Sequence, residues 1–403
     1  MILNPGQKQR VIFFSNAYKP TLSGVVTSID LFRRGLINAG HDVHVVAPEY
    51  EDYQDEEPYI FRFPAMDLTN WVDASVVLPL KAPMEATVRG IKATVIHSQH
   101  PFLMGALAVE FARDYQVPLV YTFHTLYDVY AQKYVPIVQD FIGKMTDDFL
   151  RGYLEKCTHI VAPTPSIKEL IRKKYVNEIP VSVVPTPIDL SKYKNLSPGS
   201  LRVKLGLHET EILLFLGRIS EEKNLDFLLK AFIEILKERP GVKLLVVGKG
   251  PSLNSIERSA GELGISGDVL FMGAVPHEDV PNYVAAADVF VFPSEVETQG
   301  LVLVEAMAAG TPAVAVITTG SKDVLADGGG ILVPAEIGAF KKAVLDLLTN
   351  SGYREDMSKR AQEIASSYTI EAATAKMELV YTEARERGYY PKKKRRLRIF
   401  SKS

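Results

Sequence analysis

A chain of 403 residues, 47% hydrophobic and 23% charged, has ordinary globular composition and is too long for one compact core, so two domains are expected. No basic n-region followed by an apolar h-region opens the chain, so no secretory signal is read there, and the single cysteine, Cys157, excludes an internal disulfide and suits a reducing cytosol. The net charge of −2 hides an asymmetry: seven basic and no acidic residues follow Gly388, leaving −9 for the rest.

In chain order, runs rich in Val, Ile and Phe alternate with segments of helical period. The first half offers strands at Val11–Ser15, Val43–Ala47, Val95–Ser98, Leu119–Phe123, Ile160–Pro163 and Val181–Val184, with amphipathic helices such as Val25–Ala39 and Phe102–Tyr115 between them. Several runs are apolar at consecutive positions, as expected of parallel strands buried on both faces. A Pro-, Ser- and Gly-containing stretch, Pro185–Tyr193 followed by Ser197–Ser200, reads as a hinge. The rhythm then resumes at Ile212–Gly217, Lys243–Gly248, Val269–Met272, Val289–Pro293 and Ala313–Ile317. The nearly apolar stretch Leu301–Gly320 carries Glu305 and is broken by Gly310 and Pro312, so it reads as a buried helix and a strand, not a membrane span. Helices near Ala339–Leu348, Arg354–Ser367 and Ile370–Arg387 close the body. Alternating strands and helices predict doubly wound α/β sheets, which bind ligands at the carboxyl ends of their strands.

The polar residues at those ends carry the chemistry. The first strand runs into Ser15–Val26 without a G-x-G-x-x-G pattern, which disfavours a dinucleotide oxidoreductase, yet Gly24 and Val25 before a helix can bring N–H groups to a phosphate or sugar. His124 sits just past a strand, where an imidazole can bond a sugar hydroxyl or simply pack; His97 and His100 lie at another strand end without a metal-ligand set. Cys157 reads as an inert buried thiol. Gly217-Arg218 ends a strand, and Lys223 falls where a helix should begin, a poor place for a cation. A diphosphate between Arg218 and Lys223 resolves the conflict, as does a surface ion pair of Lys223 with Glu221 or Glu222. Gly248 and Gly250 follow the next strand, where a glycine turn is also common punctuation.

Glu297 lies in a loop before a helix start at Gly300 and Leu301, whose N–H groups form a phosphate site. Glu305 follows inside that apolar helix, where a carboxylate is costly without partners; sugar or ribose hydroxyls supply them, and so would a backbone group. With no D-x-D triplet, a carboxylate-held divalent metal on the diphosphate is not expected. The tail Lys392–Arg398, flanked by Tyr389, Tyr390 and Phe400, suits an anionic partner or a solvated end. The acidic body disfavours nucleic acid.

Together these residues resemble a known family. Glu297 through Glu305 resembles the E-x7-E motif of the retaining GT-B glycosyltransferases of family 4, and Gly24-Val25, His124, Gly217-Arg218 with Lys223, and Gly248-Lys-Gly250 are similar to its other motifs in the same order. The resemblance implies an α/β fold of GT-B type, two Rossmann-like doubly wound domains facing across a cleft. It places an acceptor-side domain at 1–190, joined by a last helix at 370–387, a nucleotide-sugar domain at 191–369, and a basic tail at 388–403. It also implies roles. Arg218 and Lys223 bind the diphosphate, Glu305 the ribose, and Glu297 the transferred sugar. Gly300 and Leu301 give N–H groups to phosphate or sugar, Gly24 closes on the diphosphate, and His124 lies near the anomeric carbon. Same-face attack, with the leaving phosphate taking the acceptor's proton, needs no carboxylate nucleophile pair.

A narrower similarity, in His97-Ser-Gln-His-Pro-Phe, Thr122–Tyr130 and Glu297-Thr-Gln-Gly, is to bacterial transferases that glucosylate diacylglycerol; many relatives read Glu-Pro-Phe-Gly at the last of these, and this chain departs from the lipid group in having Gln-His-Pro where an acidic residue often stands before Phe102. The expectation is therefore a cytoplasmic enzyme, peripheral on the inner face of the membrane, moving glucose from UDP-glucose to a diacylglycerol-type lipid without a tightly bound cofactor. On an anionic lipid surface each basic residue of the tail would add roughly 1 kcal/mol of attraction. A stripe of Ile137, Phe141, Met145 and Phe149 fits membrane contact and core packing equally. Rival readings are a soluble sugar or small-alcohol acceptor, a non-catalytic nucleotide-sugar-binding module, and a nucleotide-sugar epimerase.

Overall fold

The computed structural model describes residues 7–67, 75–77, 81–127 and 139–389, with the backbone alone described at 65–67, 75–77 and 139–142. The Lys392–Arg398 tail and residues 128–138, with Ile137 of the apolar stripe, lie outside the described residues, and Phe141 is described in its backbone alone.

The chain divides into two compact units. Unit 1 holds Met1–Ala162, Lys168–Val184 and Thr374–Ser403; unit 2 holds Pro163–Ile167 and Pro185–Ala373. Unit 1 contains a seven-stranded sheet in the order β3-β2-β1-β6-β7-β8-β9. Its strands are β1 (Arg10–Phe14), β2 (Asp42–Pro48), β3 (Ile60–Phe63), β6 (Val95–Ser98), β7 (Leu119–Thr122), β8 (His159–Ala162) and β9 (Val181–Val183), every neighbouring pair parallel. A small antiparallel pair, β4 (Ala65–Asp67) and β5 (Ser75–Val77), stands apart.

Unit 2 contains a six-stranded parallel sheet ordered β12-β11-β10-β13-β14-β15. Its strands are β10 (Ile212–Leu216), β11 (Lys243–Val247), β12 (Val269–Gly273), β13 (Val289–Phe292), β14 (Ala313–Val316) and β15 (Gly330–Val333). The sequences ILLFL, VFVF and AVAV of β10, β13 and β14 are buried at every position, because helices cover both faces of the sheet.

Each sheet reverses its winding once, between β1 and β6 in unit 1 and between β10 and β13 in unit 2. At such a switch point the connections leave in opposite directions, and the strands' carboxyl ends open a crevice. Every strand expected from the sequence is present with ends shifted by a residue or so, and β3, β4, β5 and β15 are additions. The apolar stretch resolves as expected into the helix Leu301–Ala309 and strand β14, and among the described residues no helix is long and apolar enough to cross a membrane.

The last helix, Ile370–Arg387, rejoins unit 1 from Thr374 onward. Its buried residues Ala373, Met377, Val380, Tyr381 and Ala384 recur at helical spacing. Tyr381 Oη meets His97 Nδ1 at 2.8 Å and Glu378 Oε1 meets His41 Nε2 at 2.8 Å, anchoring that face to the first sheet.

Candidate functional site

The carboxyl ends of β10 and β13 flank the switch point of unit 2. Past β10 the chain turns through Gly217, at φ 152°, to an exposed Arg218. Past β13 it enters the loop Ser294–Gln299. Lys223 lies in a 3-10 turn, Glu221–Lys223, two residues short of the helix Leu225–Leu236. Its Nζ is 2.5 Å from Glu297 Oε1, with the two side chains 17% and 12% exposed. The cation in a poor place for a helix start is thus matched by a carboxylate across the switch point, a partner different from the neighbouring Glu221 or Glu222 weighed from the sequence. Ser294 Oγ donates to the same Glu297 oxygen at 2.8 Å, Asn224 Nδ2 reaches Glu295 Oε1 at 2.9 Å, and Glu295 N–H donates to the Glu222 carbonyl at 3.0 Å. The two loops form one hydrogen-bonded ledge.

The helix beyond the ledge starts from Gly300, buried and left-handed at φ 78°; a Cβ there would come within 3.2 Å of Leu303 Cδ1. Leu301 is the first helical residue, so its N–H belongs to the unsatisfied first turn. One side of this helix meets Lys192 and Tyr193. Glu305 is 9% exposed, and burial pushes its carboxyl from an ordinary 4.5 up to about 7, opposed by the Lys192 charge. The Tyr193 phenol is raised well above its usual range by burial and then by Glu305.

The sign of this shift sets a testable pH dependence. A raised folded-state pKa makes the fold favour the protonated carboxyl, so the contribution is complete below pH 4.5 and lost by about pH 7. The amount is roughly 3 kcal/mol. A Glu305→Gln variant, neutral throughout, is expected to flatten the pH dependence of thermal stability in that window and to melt higher than the parent at pH 8.

Gly248 and Gly250 are explained by packing. At Gly248 a Cβ would lie 1.8 Å from the Gly217 carbonyl oxygen, and at Gly250 one would lie 2.2 Å from the Ile219 carbonyl oxygen. The Ile219 N–H donates to Lys249 O at 2.9 Å, and Ser252 N–H donates to Ile219 O at 3.0 Å. These glycines bring the β10 and β11 exits into backbone contact and so shape the ground under Arg218.

In unit 1 the first-strand loop ends at Ser23, whose Oγ caps the helix Gly24–Asn38 by accepting from Val26 N–H at 3.2 Å. Around Gly24 a Cβ would meet nothing within 4 Å; Val25 follows in the first turn. The loop is braced by Arg62, which bonds Asp55 through two nitrogens at 2.6 and 2.8 Å and Lys19 O at 2.8 Å, and lies 5.5 Å from the rings of Tyr18, Tyr50 and Tyr53. His124, past β7, has Nε2 2.8 Å from Gln99 Oε1, beyond β6. Burial, then His100 and His97, holds His124 well below the usual imidazole range, so it is neutral at physiological pH. Burial also brings His97 to about 3 and His100 to about 4. Cys157 is buried, its thiol pushed up by desolvation, in keeping with an inert role. Among the described residues no cluster of His, Cys, Asp and Glu could hold a metal ion.

Sequence reasoning missed several neighbours of these groups. Gly320 lies beneath the Glu297 loop, where a Cβ would be 2.6 Å from Gln299 N and 2.9 Å from Glu297 O. Gln99, Ser294 and Thr164 were not singled out, and Gln299 drew notice only as a departure from the commoner Glu-Pro-Phe-Gly.

The profile of glycosyltransferase family 4 matches residues 22–192, and that of glycosyl transferases group 1 matches residues 200–364. The chain is similar to the alpha-monoglucosyldiacylglycerol synthase of Streptococcus pneumoniae, 33% identical over 318 residues that cover 76% of this chain and 70% of that one. It is similar to the protein of the same name from Acholeplasma laidlawii, 28% identical over 393 residues, 93% of this chain and 97% of that one. A D-inositol 3-phosphate glycosyltransferase of Frankia alni also matches, at 33% identity over 319 residues, 76% of this chain and 74% of its own. In fold, sucrose-phosphate synthase from Thermosynechococcus elongatus superposes with a TM-score of 0.78 at 21% identity, covering 93% of this chain and 98% of that one. On these matches, laid over two parallel-sheet units, the chain belongs to the family 4 glycosyltransferases, hexosyl-transferring enzymes of GT-B fold.

Proposed function

We propose that this enzyme transfers glucose, with retention, from UDP-glucose to a diacylglycerol-type lipid. The observation that carries the donor half is the pairing of Lys223 with Glu297 across the β10/β13 switch point, with the buried Glu305 on the helix that follows. In this reading Glu297 accepts hydroxyls of the sugar while Lys223 and Arg218 balance the diphosphate, aided by the Gly300 and Leu301 N–H groups and the Gly217 turn. Glu305 accepts two ribose hydroxyls, which lets it ionise and relieves its burial. Nucleotide binding near pH 6.5 should then release a fraction of a proton, measurable by calorimetry in buffers of different ionisation enthalpy, and the release should vanish in Glu305→Gln.

Residues 191–369 are assigned to the donor and 1–190, with the helix 370–387, to the acceptor; Gly24 and Val25 are assigned to diphosphate binding and the neutral His124 to the sugar. The anomeric carbon–diphosphate oxygen bond breaks as the acceptor oxygen bonds the same face, and the acceptor's proton passes to the leaving phosphate. Positive charge at Lys223 and Arg218 stabilises that leaving group, so no metal is needed for donor binding.

The lipid acceptor is supported by the names of the Streptococcus and Acholeplasma relatives. A soluble acceptor is the second reading, favoured by the similarity to D-inositol 3-phosphate glycosyltransferases. Mass spectrometry of products from a panel of nucleotide sugars, each offered diacylglycerol vesicles, soluble alcohols or no acceptor, tests all of these. Hexosyl-diacylglycerol from UDP-glucose supports the proposal; glycosylated soluble alcohol alone overturns the acceptor, and a second nucleotide sugar of equal mass, separated by chromatography when no acceptor is present, marks an epimerase. The tail's part in a peripheral location on the inner membrane face is tested by flotation on anionic vesicles with and without residues 389–403.

A further inference from the structure

The segment Glu297–Gln299 is held at several points, through its backbone and through the Gln299 side chain. Beneath it Gly320 leaves no room for a Cβ, which would lie 2.7 Å from Thr298 C. Gly320 is itself fixed by a tight knot in which Thr318 N–H donates to Ser321 Oγ at 2.7 Å and Ser321 Oγ donates to Val316 O at 2.8 Å. The carbonyl of Thr298 accepts from Thr164 Oγ1 at 3.1 Å. The Gln299 side chain, 4% exposed, closes a two-bond ring on one residue's backbone: Thr186 N–H donates to Gln299 Oε1 at 2.8 Å, and Gln299 Nε2 donates to Thr186 O at 3.0 Å. Thr164 and Thr186 stand 3% and 8% exposed. They lie on Pro163–Ile167 and on the start of Pro185–Ala373, the two stretches by which the chain enters unit 2 from the N-terminal side.

These contacts come from buried groups on two other stretches of the chain, so the loop's course is set by its surroundings and not by its own residues alone. They hold the backbone that follows Glu297, while Lys223 and Ser294 meet its carboxylate. We infer that Gln299 is a positioning residue: through Thr186, with Thr164 as its companion, it sets the Glu297 carboxylate where the transferred sugar is to be held. A primary amide suits this post because it offers one donor and one acceptor in a plane, matching a peptide unit. A loop reading Pro-Phe at positions 298 and 299 would need another device, so the Thr-Gln of this chain is a local solution to holding the same carboxylate.

The inference rests on the donor reading above, and the test separates the two. In the full-length enzyme, Gln299→Leu keeps the volume and removes both bonds. Transfer kcat/KM for the nucleotide sugar is expected to fall at least 10-fold, while the inhibition constant of UDP alone stays within twofold, because the diphosphate and ribose are held elsewhere. Thr164→Val is expected to move in the same direction by a smaller factor, and Thr164→Ser, which keeps the hydroxyl, to restore transfer. If Gln299→Leu does not yield folded protein, the Thr164 pair carries the same test. Parent-like transfer in Gln299→Leu and Thr164→Val, with Glu297→Gln inactive, overturns the positioning role alone, as does a UDP constant that weakens in step with transfer. Parent-like turnover in Glu297→Gln takes down the donor reading and the positioning role together.

Discussion

Glu297→Gln should lower the transfer rate by about 100-fold or more, in the range found for removing one preorganised polar contact from a developing charge. The substitution keeps the side chain's length and an oxygen for Ser294 Oγ, now 2.8 Å away, but removes the charge that faces Lys223 Nζ at 2.5 Å. An amide presents only one acceptor oxygen to sugar hydroxyls, and Lys223 is left with a partner of weaker field. The pair is more than 80% buried on both sides, so its coupling is worth more than that of a surface bridge. Stability and turnover should therefore part company. The variant should stay folded, with UDP inhibition close to the parent's, because Arg218 and Glu305 are untouched. Steady-state kinetics with the nucleotide sugar, read beside a UDP titration, decide the matter; unaltered kcat would remove Glu297 from the site.

The second large effect is structural. Gly248→Ala should cost more than about 4 kcal/mol, beyond the ordinary range for a point substitution. The new Cβ would sit 1.8 Å from the Gly217 oxygen, and the backbone at φ 144° is one that L side chains rarely adopt. Backbone atoms cannot swing aside as a side chain can, so the β10 and β11 exits must separate. Thermal unfolding should show a drop of about 10 °C or more, or the protein should fail to accumulate. Gly24→Val is the informative contrast. Nothing lies within 4 Å of a Cβ at Gly24 and its φ is not left-handed, so the variant should melt like the parent while its KM for the donor rises. Two glycines that look alike in the sequence then separate cleanly, one needed by the fold and one by the ligand.

Strands such as β10 and β13 were legible because burial on both faces demands uninterrupted apolar residues. Strand β15 escaped notice because it opens on Gly330, pressed against Ala313 O, behind a run of glycines. Strand β3 escaped because Arg62 interrupts it, and that cation's compensation comes from Asp55 and three tyrosines elsewhere in the chain. The site shows the same division. Lys223 and Glu305 stood out as charges in unfavourable places, and that is a local property. Their surroundings were hidden, because Glu297, 74 positions from Lys223, meets it only once β13 pairs with β10. Gln299 could be seen as unusual but not as useful, since its partner is a backbone 113 positions away.

The return of the last helix to unit 1 has a consequence for biosynthesis. A nascent chain that has emerged through residue 373 holds every segment of unit 2, while unit 1 still waits for Thr374 onward. Until then His97, wholly interior in the finished protein, lacks the Tyr381 hydroxyl, and His41 lacks Glu378. An interior ring nitrogen without its partner costs about 1–3 kcal/mol. The N-terminal unit is therefore the later one to reach full stability on the ribosome, reversing the common order of domain folding.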